Sequence, residues 1–307
     1  MRRATPVRDE MRRRRAARRE LFYPDLAVES LDVGGLTRTF VSVPGPGPDA
    51  PLLLALHGAT GTGMDMAALS GLHTRAAAAG CAVIFPDGIG RVWNAGPGPP
   101  RSPRRQGVDD VAFLAALVDH ARRTGLSDGH RVFAVGVSNG GMLAEYVARH
   151  GLLDLEGVVL VAASATAASR RACVTPRRPV RFLAFHGTAD PLVPYAGRAI
   201  GVTGRLAQRR RRGGVAPIEQ VCADWARPGA EPVLDALPPA SVTGDLRVER
   251  VRWADPLGSS VTLYRVRGGG HTWPGGPQYL SARIIGPVAR GLDATGIMLD
   301  FVAGPSA

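Results

Sequence analysis

Lysine is absent from this chain, and all 38 of its basic residues are arginine. We read that bias as a mark of genomic base composition rather than of guanidinium chemistry. Cysteine is nearly absent too. The three thiols, Cys81, Cys173 and Cys222, form an odd and sparse set that excludes a disulfide framework. No Cys/His grouping has the spacing of metal ligands. Aromatic residues make up only 6% of the chain. No stretch approaches the roughly 18 uninterrupted apolar residues that a membrane span needs. Internal repeats are missing, Gly61-Thr62-Gly63 does not complete a dinucleotide fingerprint, and there is no phosphate loop. What remains is an ordinary globular composition, 45% hydrophobic and 21% charged over 307 residues, enough for one large core.

The formal charge of +12 is unevenly spread. Residues 1–20 hold nine arginines against Asp9, Glu10 and Glu20, a net of +6. A second cluster is Arg209-Arg210-Arg211-Arg212. Such runs suit an anionic partner, nucleic acid or a membrane surface, or else a solvated tail and a surface loop. The second reading is favoured, because no aromatic interleaving or nucleic-acid-binding motif accompanies the charge. We therefore expect residues 1–30 to be a basic, poorly ordered arm and residues 31–307 to form one domain. The start is basic but lacks the apolar segment of an export signal. The expectation is a cytoplasmic protein, or a secreted one if the true start lies elsewhere.

Beyond the arm, apolar runs alternate with helical patterns. Leu36–Val43 reads as a first strand. Leu52–Leu56 and Cys81–Phe85 are continuous apolar runs, as in strands buried on both faces. An Ala-rich helix is expected between them, to about Ala79. A Pro/Gly/Arg-rich loop runs from Gly90 to about Arg105, a length usual in loops that are functional or disordered. Val108–Arg122 reads as a helix with Val111, Leu114, Ala115 and Val118 on one face. Further strands are expected at Arg131–Val135, Val158–Val161, Val180–Phe185, Leu246–Trp253 and Val261–Val266. Helices are expected at Ile218–Ala226 and 293–302. This alternation implies an α/β fold with a mostly parallel sheet covered on both faces. Ligands of such sheets bind beyond the carboxyl ends of the strands.

The chemistry gathers at those ends. Gly136-Val137-Ser138-Asn139-Gly140 is a G-x-S-x-G pentapeptide between a strand and a helix, the setting of a nucleophile elbow. A serine hydroxyl needs a base, and the base an orienting carboxylate. In a fold of this kind the order along the chain is serine, acid, histidine. Asp190, in His186-Gly187-Thr188-Ala189-Asp190-Pro191, is the acid candidate, with a turn-forming role as the alternative. His271, on Gly268-Gly269-Gly270-His271, is the base candidate and the one histidine that follows Asp190. His57 and His186 precede glycines at strand ends and read as residues that hydrogen-bond loops. Backbone N–H groups of Ala59 and Asn139 are the candidate oxyanion donors, with Thr60 the neighbour most easily confused with Ala59.

Together these segments resemble the α/β-hydrolase esterases of the polyhydroxybutyrate depolymerase and feruloyl esterase type, carbohydrate esterase family 1, and within it the LpqC-like branch. The matching stretches are Leu56-His57-Gly58, Phe85-Pro86-Asp87-Gly88 with Val92-Trp93-Asn94, Gly107 to Val111, Gly136 to Met142, His186 to Tyr195 and Gly268 to Gly276. They span roughly residues 36–303. The resemblance implies a serine ester hydrolase with no metal or cofactor, acting on a small or oligomeric ester. A hydroxyalkanoate ester is the first expectation, and a feruloyl or acetyl ester of a plant polysaccharide the alternative. It also implies that Trp93, Asn94, Asp109 and Trp273 lie near the cleft, with Trp93, Asn94 and Trp273 as candidate substrate contacts. Trp93 could equally pin the long loop, and Asp109 and Asp110 could cap the helix beside them. The chain departs from the family in having no cysteine after Trp225. The arginine-rich loop of residues 197–214 would favour acidic substrates if it covered the cleft.

Overall fold

The computed structural model describes residues 26–96, 107–171, 179–199, 214–226, 228–235, 237, 246–253 and 261–304. The basic arm up to residue 25, Cys173 and Arg209–Arg212 lie outside the described residues.

Ten strands form one sheet. In chain order they are β1 (Val28–Val33), β2 (Leu36–Val43), β3 (Leu52–Leu56), β4 (Ala82–Pro86), β5 (Val132–Val137), β6 (Gly157–Val161), β7 (Arg181–Gly187), β10 (Pro232–Asp235), β11 (Arg247–Trp253) and β12 (Val261–Arg267). A separate two-stranded ribbon pairs β8 (Arg198–Ala199) with β9 (Gly214–Val215). The order across the large sheet is β1-β2-β4-β3-β5-β6-β7-β12-β11-β10. The six central strands, β4 to β12 in that order, are mutually parallel, and antiparallel strands complete each edge.

The central strands are apolar throughout because both of their faces are covered. Leu52, Leu54, Leu56, Ala134, Val158, Leu160 and Ala184 point to one side. There they meet α3 (Asp110–Thr124), α4 (Asn139–Arg149) and α6 (Ile218–Trp225). Leu53, Ala55, Val83, Val135, Val159 and Leu183 point to the other side. They meet α1 (Gly63–Ser70), Leu72 of α2 (Leu72–Arg75) and α8 (Ala294–Ala303). Two further short helices, α5 (Ala167–Arg171) and α7 (Ala282–Ile285), lie in the connections.

Local chemistry sets the helix ends. Thr62 caps α1 by accepting from Asp65 N, Asp109 caps α3 by accepting from Ala112 N, and Asp293 caps α8 by accepting from Gly296 N. The Ala-rich stretch yields two short helices instead of one. Gly71, at φ 66°, breaks it after Ser70, and α2 ends at Arg75. The face that α3 buries is centred on Leu114, Leu117, Val118 and Ala121, while Val111 and Ala115 are only half-buried. Four strands were not expected, among them β8 and β9, which pair at the two ends of the stretch expected to be a loop. β1 starts at Val28, inside the stretch assigned to the arm, with Val28 paired to Val41. β10 is an edge strand that opens on Pro232, a position where a missing N–H is tolerated.

Candidate active site

Ser138 directly follows β5 and precedes α4. Its backbone stands at φ 54°, ψ −120°, an unfavourable region for a residue with a Cβ. Positions of this kind store about 1–3 kcal/mol of strain and persist where the surroundings over-determine them. Here the surroundings are close-packed glycines. A Cβ on Gly140 would lie 2.3 Å from Leu56 O, and one on Gly136 2.4 Å from Gly140 C. The helix start therefore rests directly on the ends of β3 and β5. Ser138 occupies the N-cap position of α4, yet its side chain makes no capping hydrogen bond. The hydroxyl is half-buried and not committed to the helix.

The acid and base candidates meet. Asp190 follows β7, His271 follows β12, and both strands run parallel to β5, so all three residues lie on one rim of the sheet. His271 Nδ1 is 2.7 Å from Asp190 Oδ2. A carboxylate only accepts, so Nδ1 carries the proton and Nε2 is left with its lone pair. Asp190 Oδ1 accepts from Leu192 N and Val193 N, each at 2.8 Å. Three donors thus hold this buried carboxylate, and the turn role and the contact with His271 coexist. No hydrogen bond joins Ser138 to His271 among the described residues.

The loop carrying His271 is fixed at both of its peptide groups. His271 N donates to Ile285 O, and Tyr279 Oη donates to His271 O at 2.9 Å. Burial, with the Asp190 charge nearby, pushes the Tyr279 hydroxyl up to about 12, so it stays a donor across the working range. The Gln278 amide staples the same loop, donating to Leu280 O and Gly286 O and accepting from Val288 N. Nothing in the sequence pattern singled out Gln278 or Tyr279, since their contacts with His271, Gly286 and Val288 span eight to ten residues and depend on geometry alone.

His186 is fully buried and lies 3.7 Å from Asp190 Oδ2, beyond hydrogen-bond reach. Its Nε2 is 2.8 Å from Val193 O instead. Burial pushes its pKa down, so it stays neutral behind the acid loop. His57 is also pushed down by burial. Gly88 N donates to its Nε2 at 3.0 Å, which places its proton on Nδ1, facing Gly58 O at 2.7 Å.

The turn His57-Gly58-Ala59-Thr60 abuts the serine, for a Cβ on Gly58 would sit 3.4 Å from Ser138 Cβ. Thr60 N is committed to Arg91 O at 2.7 Å. Among the described residues, no protein acceptor takes the Ala59 or the Asn139 N–H.

The expected cleft aromatics are corrected. Trp93 is 1% exposed and Trp273 0%, so neither ring has surface to offer a substrate. Trp93 pins its loop, donating from Nε1 to His57 O at 2.9 Å. Trp273 donates to Thr295 Oγ1, which donates on to Ser70 O, anchoring the base loop to α8 and α1. Asn94 keeps some exposure and lines a depression of about 370 Å³ with Gly96, Val108, Asp109, Val111 and Tyr146. Its own amide donates to Val108 O. Asp109 caps α3, whereas Asp110 is buried against Arg38 at 2.8 Å and accepts from Asn94 N at 2.7 Å.

The base of the arginine-rich loop is described even though Arg209–Arg212 are not. Val215 packs on Met142 and Val193, between the elbow helix and the acid loop. Cys81 and Cys222 are free and buried. No group of three or more His, Cys, Asp or Glu among the described residues could hold a metal ion. No helix among them is long and apolar enough to cross a membrane.

No protein-family profile matches the chain. It is 34% identical over 281 residues to the protein named "Putative esterase NocK" of Nocardia uniformis subsp. tsuyamanensis, covering 89% of this chain and 81% of that protein. It is 31% identical over 159 residues to feruloyl esterase B of Piromyces equi, covering 48% of this chain but 27% of that protein. Among solved structures, the acetyl xylan esterase of Aspergillus awamori superposes with a TM-score of 0.54 at 15% identity, covering 80% of this chain and 94% of that one. That last likeness speaks for the fold. With the sheet, the elbow and the Asp190–His271 contact in place, the chain belongs to the α/β-hydrolase esterases and is a carboxylic ester hydrolase.

Proposed function

We propose that Ser138, His271 and Asp190 carry out ester hydrolysis as nucleophile, base and orienting acid. The observation that carries this reading is the buried Asp190–His271 contact, made across 81 residues of sequence on the rim that holds the strained elbow serine. In this reading His271 Nε2 takes the Ser138 proton as Oγ attacks the ester carbonyl. The Ala59 and Asn139 N–H groups receive the developing oxyanion. His271 then returns the proton to the departing alcohol, and water repeats the sequence on the acyl-enzyme. Asp190 accepts from Nδ1, holds the ring in this tautomer and stabilises the imidazolium as it forms.

For substrate we propose a small or oligomeric ester, with a hydroxyalkanoate oligomer first. A feruloyl or acetyl ester on a polysaccharide is the second reading, favoured by the partial likeness to a feruloyl esterase. The experiment compares wild type with Ser138→Ala on p-nitrophenyl acetate and butyrate, a feruloyl ester and a 3-hydroxybutyrate trimer. We expect Ser138→Ala to lose about 10³-fold or more in kcat. A wild-type rate retained by Ser138→Ala would remove the mechanism. The ratio of kcat/KM between the trimer and the feruloyl ester decides between the two substrates.

A further inference from the structure

We propose that the segment Gly88–Asn94 braces the oxyanion hole, with Trp93 the positioning residue that sets the separation of the Ala59 and Asn139 N–H groups. This inference rests on the serine-hydrolase reading given above.

The two donors belong to different elements. Ala59 stands on the turn after β3, and Asn139 opens α4 after β5. Oxyanion stabilisation depends on both N–H groups converging on one point, to within about 0.5 Å. The segment Gly88–Asn94 is bonded to both sides. Toward the turn, Gly88 N donates to His57 Nε2 and Arg91 O accepts from Thr60 N. Arg91 Nε also donates to Gly61 O at 3.3 Å, and Trp93 Nε1 donates to His57 O.

Toward the elbow, the contact is a two-point clamp. Asn139 Oδ1 accepts from Trp93 N at 2.6 Å, and Asn139 Nδ2 donates to Trp93 O at 3.2 Å. Trp93 is the residue that touches both sides at once, through its indole to His57 and through its peptide groups to Asn139. The clamp is sealed from water, with Trp93 at 1% and Asn139 at 3% exposure. Thr60 at φ 70° and Arg91 at φ 62° are both non-glycine residues in the left-handed region, and one hydrogen bond joins them. Strain of that kind persists where the surroundings hold it.

The brace is anchored from behind. Asn94 N donates to Asp110, which is paired with Arg38 on β2. Arg38 also donates to Asp87 O, and Asp87 accepts from Gly63 N and Thr39 Oγ1. Both ends of the segment are thereby tied into the fold. The buried tryptophan, unavailable to a substrate, acts on the reaction through the two groups it spaces.

The test uses Asn139→Ala, which keeps the backbone donor and removes only the clamp. Trp93→Phe keeps a ring and removes the indole N–H, and the double variant combines the two. kcat and KM are measured on p-nitrophenyl butyrate per active site, titrated with a serine-directed phosphonate. The Ki of an aryl trifluoromethyl ketone, whose tetrahedral adduct places an oxyanion in the hole, is measured beside them. We expect Asn139→Ala to lower kcat by about 10- to 100-fold, with KM within about threefold and the ketone Ki raised in parallel. The double variant should lose less than the product of the two single losses, because both act on one residue. An unchanged kcat and Ki, a rise in KM alone, or fully multiplicative losses would overturn the brace. If Trp93→Phe does not fold, Asn139→Ala decides alone. An active wild type, an inactive Ser138→Ala and an unaltered Asn139→Ala would sink the brace only. A fully active Ser138→Ala would sink the serine mechanism itself.

Discussion

Replacing Gly140 by alanine places a methyl group between the elbow helix and the end of β3. The new Cβ would meet Leu56 O at 2.3 Å and His57 O at 2.5 Å, where ordinary contact begins at 3.4 Å. Both atoms belong to the backbone of the strand end and cannot swing aside. The start of α4 must therefore move off β3 by about 1 Å, an overpacking that costs roughly 1–3 kcal/mol. The same displacement separates Asn139 N–H from the turn that carries Ala59. A misplacement of about 1 Å at a reacting centre is worth on the order of 100-fold in rate. We expect Gly140→Ala to fold with lowered stability and to lose about that factor in kcat per titrated active site. Urea unfolding and p-nitrophenyl butyrate turnover measure the two effects separately. Gly47→Ala is the control, since a Cβ there meets nothing within 4 Å and should change neither. A Gly140→Ala variant with kcat within threefold of wild type would refute the claim that this contact spaces the two halves of the hole.

Further predictions follow from the buried polar groups. Asp190→Asn keeps the shape of the acid but can donate toward His271, favouring the wrong tautomer, so kcat should fall by about 10³- to 10⁴-fold while KM holds. Rates on either side of the KM of the wild type read this directly. His186 is pushed down in pKa by burial, so below about 6.5 the unfolded chain binds a proton that the folded chain refuses. Its contribution to stability is complete above that pH and is lost as pH falls toward the folded value, at up to about 1.4 kcal/mol per unit. Urea unfolding at pH 7.5 and 5.5 should show a shallower pH dependence in His186→Asn than in wild type. An equal slope would show that the imidazole is solvated. Arg38→Met removes the buried cation that faces Asp110 and should cost about 3–5 kcal/mol, whereas Arg38→Met with Asp110→Leu should recover most of that loss. Equal losses in the single and double variants would show that the ion pair is not the stabilising feature.

The central strands were legible because burial on both faces leaves continuous apolar runs such as Leu52–Leu56, and glycine and proline punctuate them. The elbow was legible because its constraint is local. Gly136 and Gly140 are required by contacts within a few residues of Ser138 and with the neighbouring strand. The edges were less so. β1 reads Val-Glu-Ser-Leu-Asp-Val, exposed on one face and only half-buried on the other, with an apolar Val28 on the exposed face and Glu29 on the half-buried one, so its alternation is too weak to separate it from the basic arm. Trp93 was left between two roles and Trp273 was given the wrong one, because a large aromatic beside a motif looks the same from sequence whether it faces the cleft or supports it from behind. Which of these holds depends on partners such as Asn139 and Thr295, 46 and 22 residues away. Arg38 and Asp110, 72 residues apart, left no signal at all as a pair.

The Gly-rich loop before His271 follows from the sheet order. The proposed nucleophile leaves β5, the proposed acid leaves β7 and the proposed base leaves β12, which is three strands from β5. Strands lie about 4.8 Å apart, so β12 ends some 14 Å from the serine, and the loop must carry the base back across the end of β7. That crossing brings backbone against backbone. A Cβ on Gly187 would lie 2.2 Å from Gly269 O, and one on Gly270 2.0 Å from Ile285 O. A side chain at Gly187 would lift the loop off β7, and one at Gly270 would push it off Ile285 and Gly286, and either displaces His271 from Asp190. Hydrogen bonds continue the sheet past the named strands, with Ser138 N to Val161 O, Ala162 N to Phe185 O and Thr188 N to Val266 O. They tie the ends of β5, β6, β7 and β12 into one ladder, so the sheet spaces the points from which Ser138, the Asp190 turn and the His271 loop depart. The serine and histidine therefore need no bond to each other to be in register. In the proposed mechanism the ester carbonyl meets groups already placed by two separate supports, the brace behind the elbow and the staple behind the His271 loop.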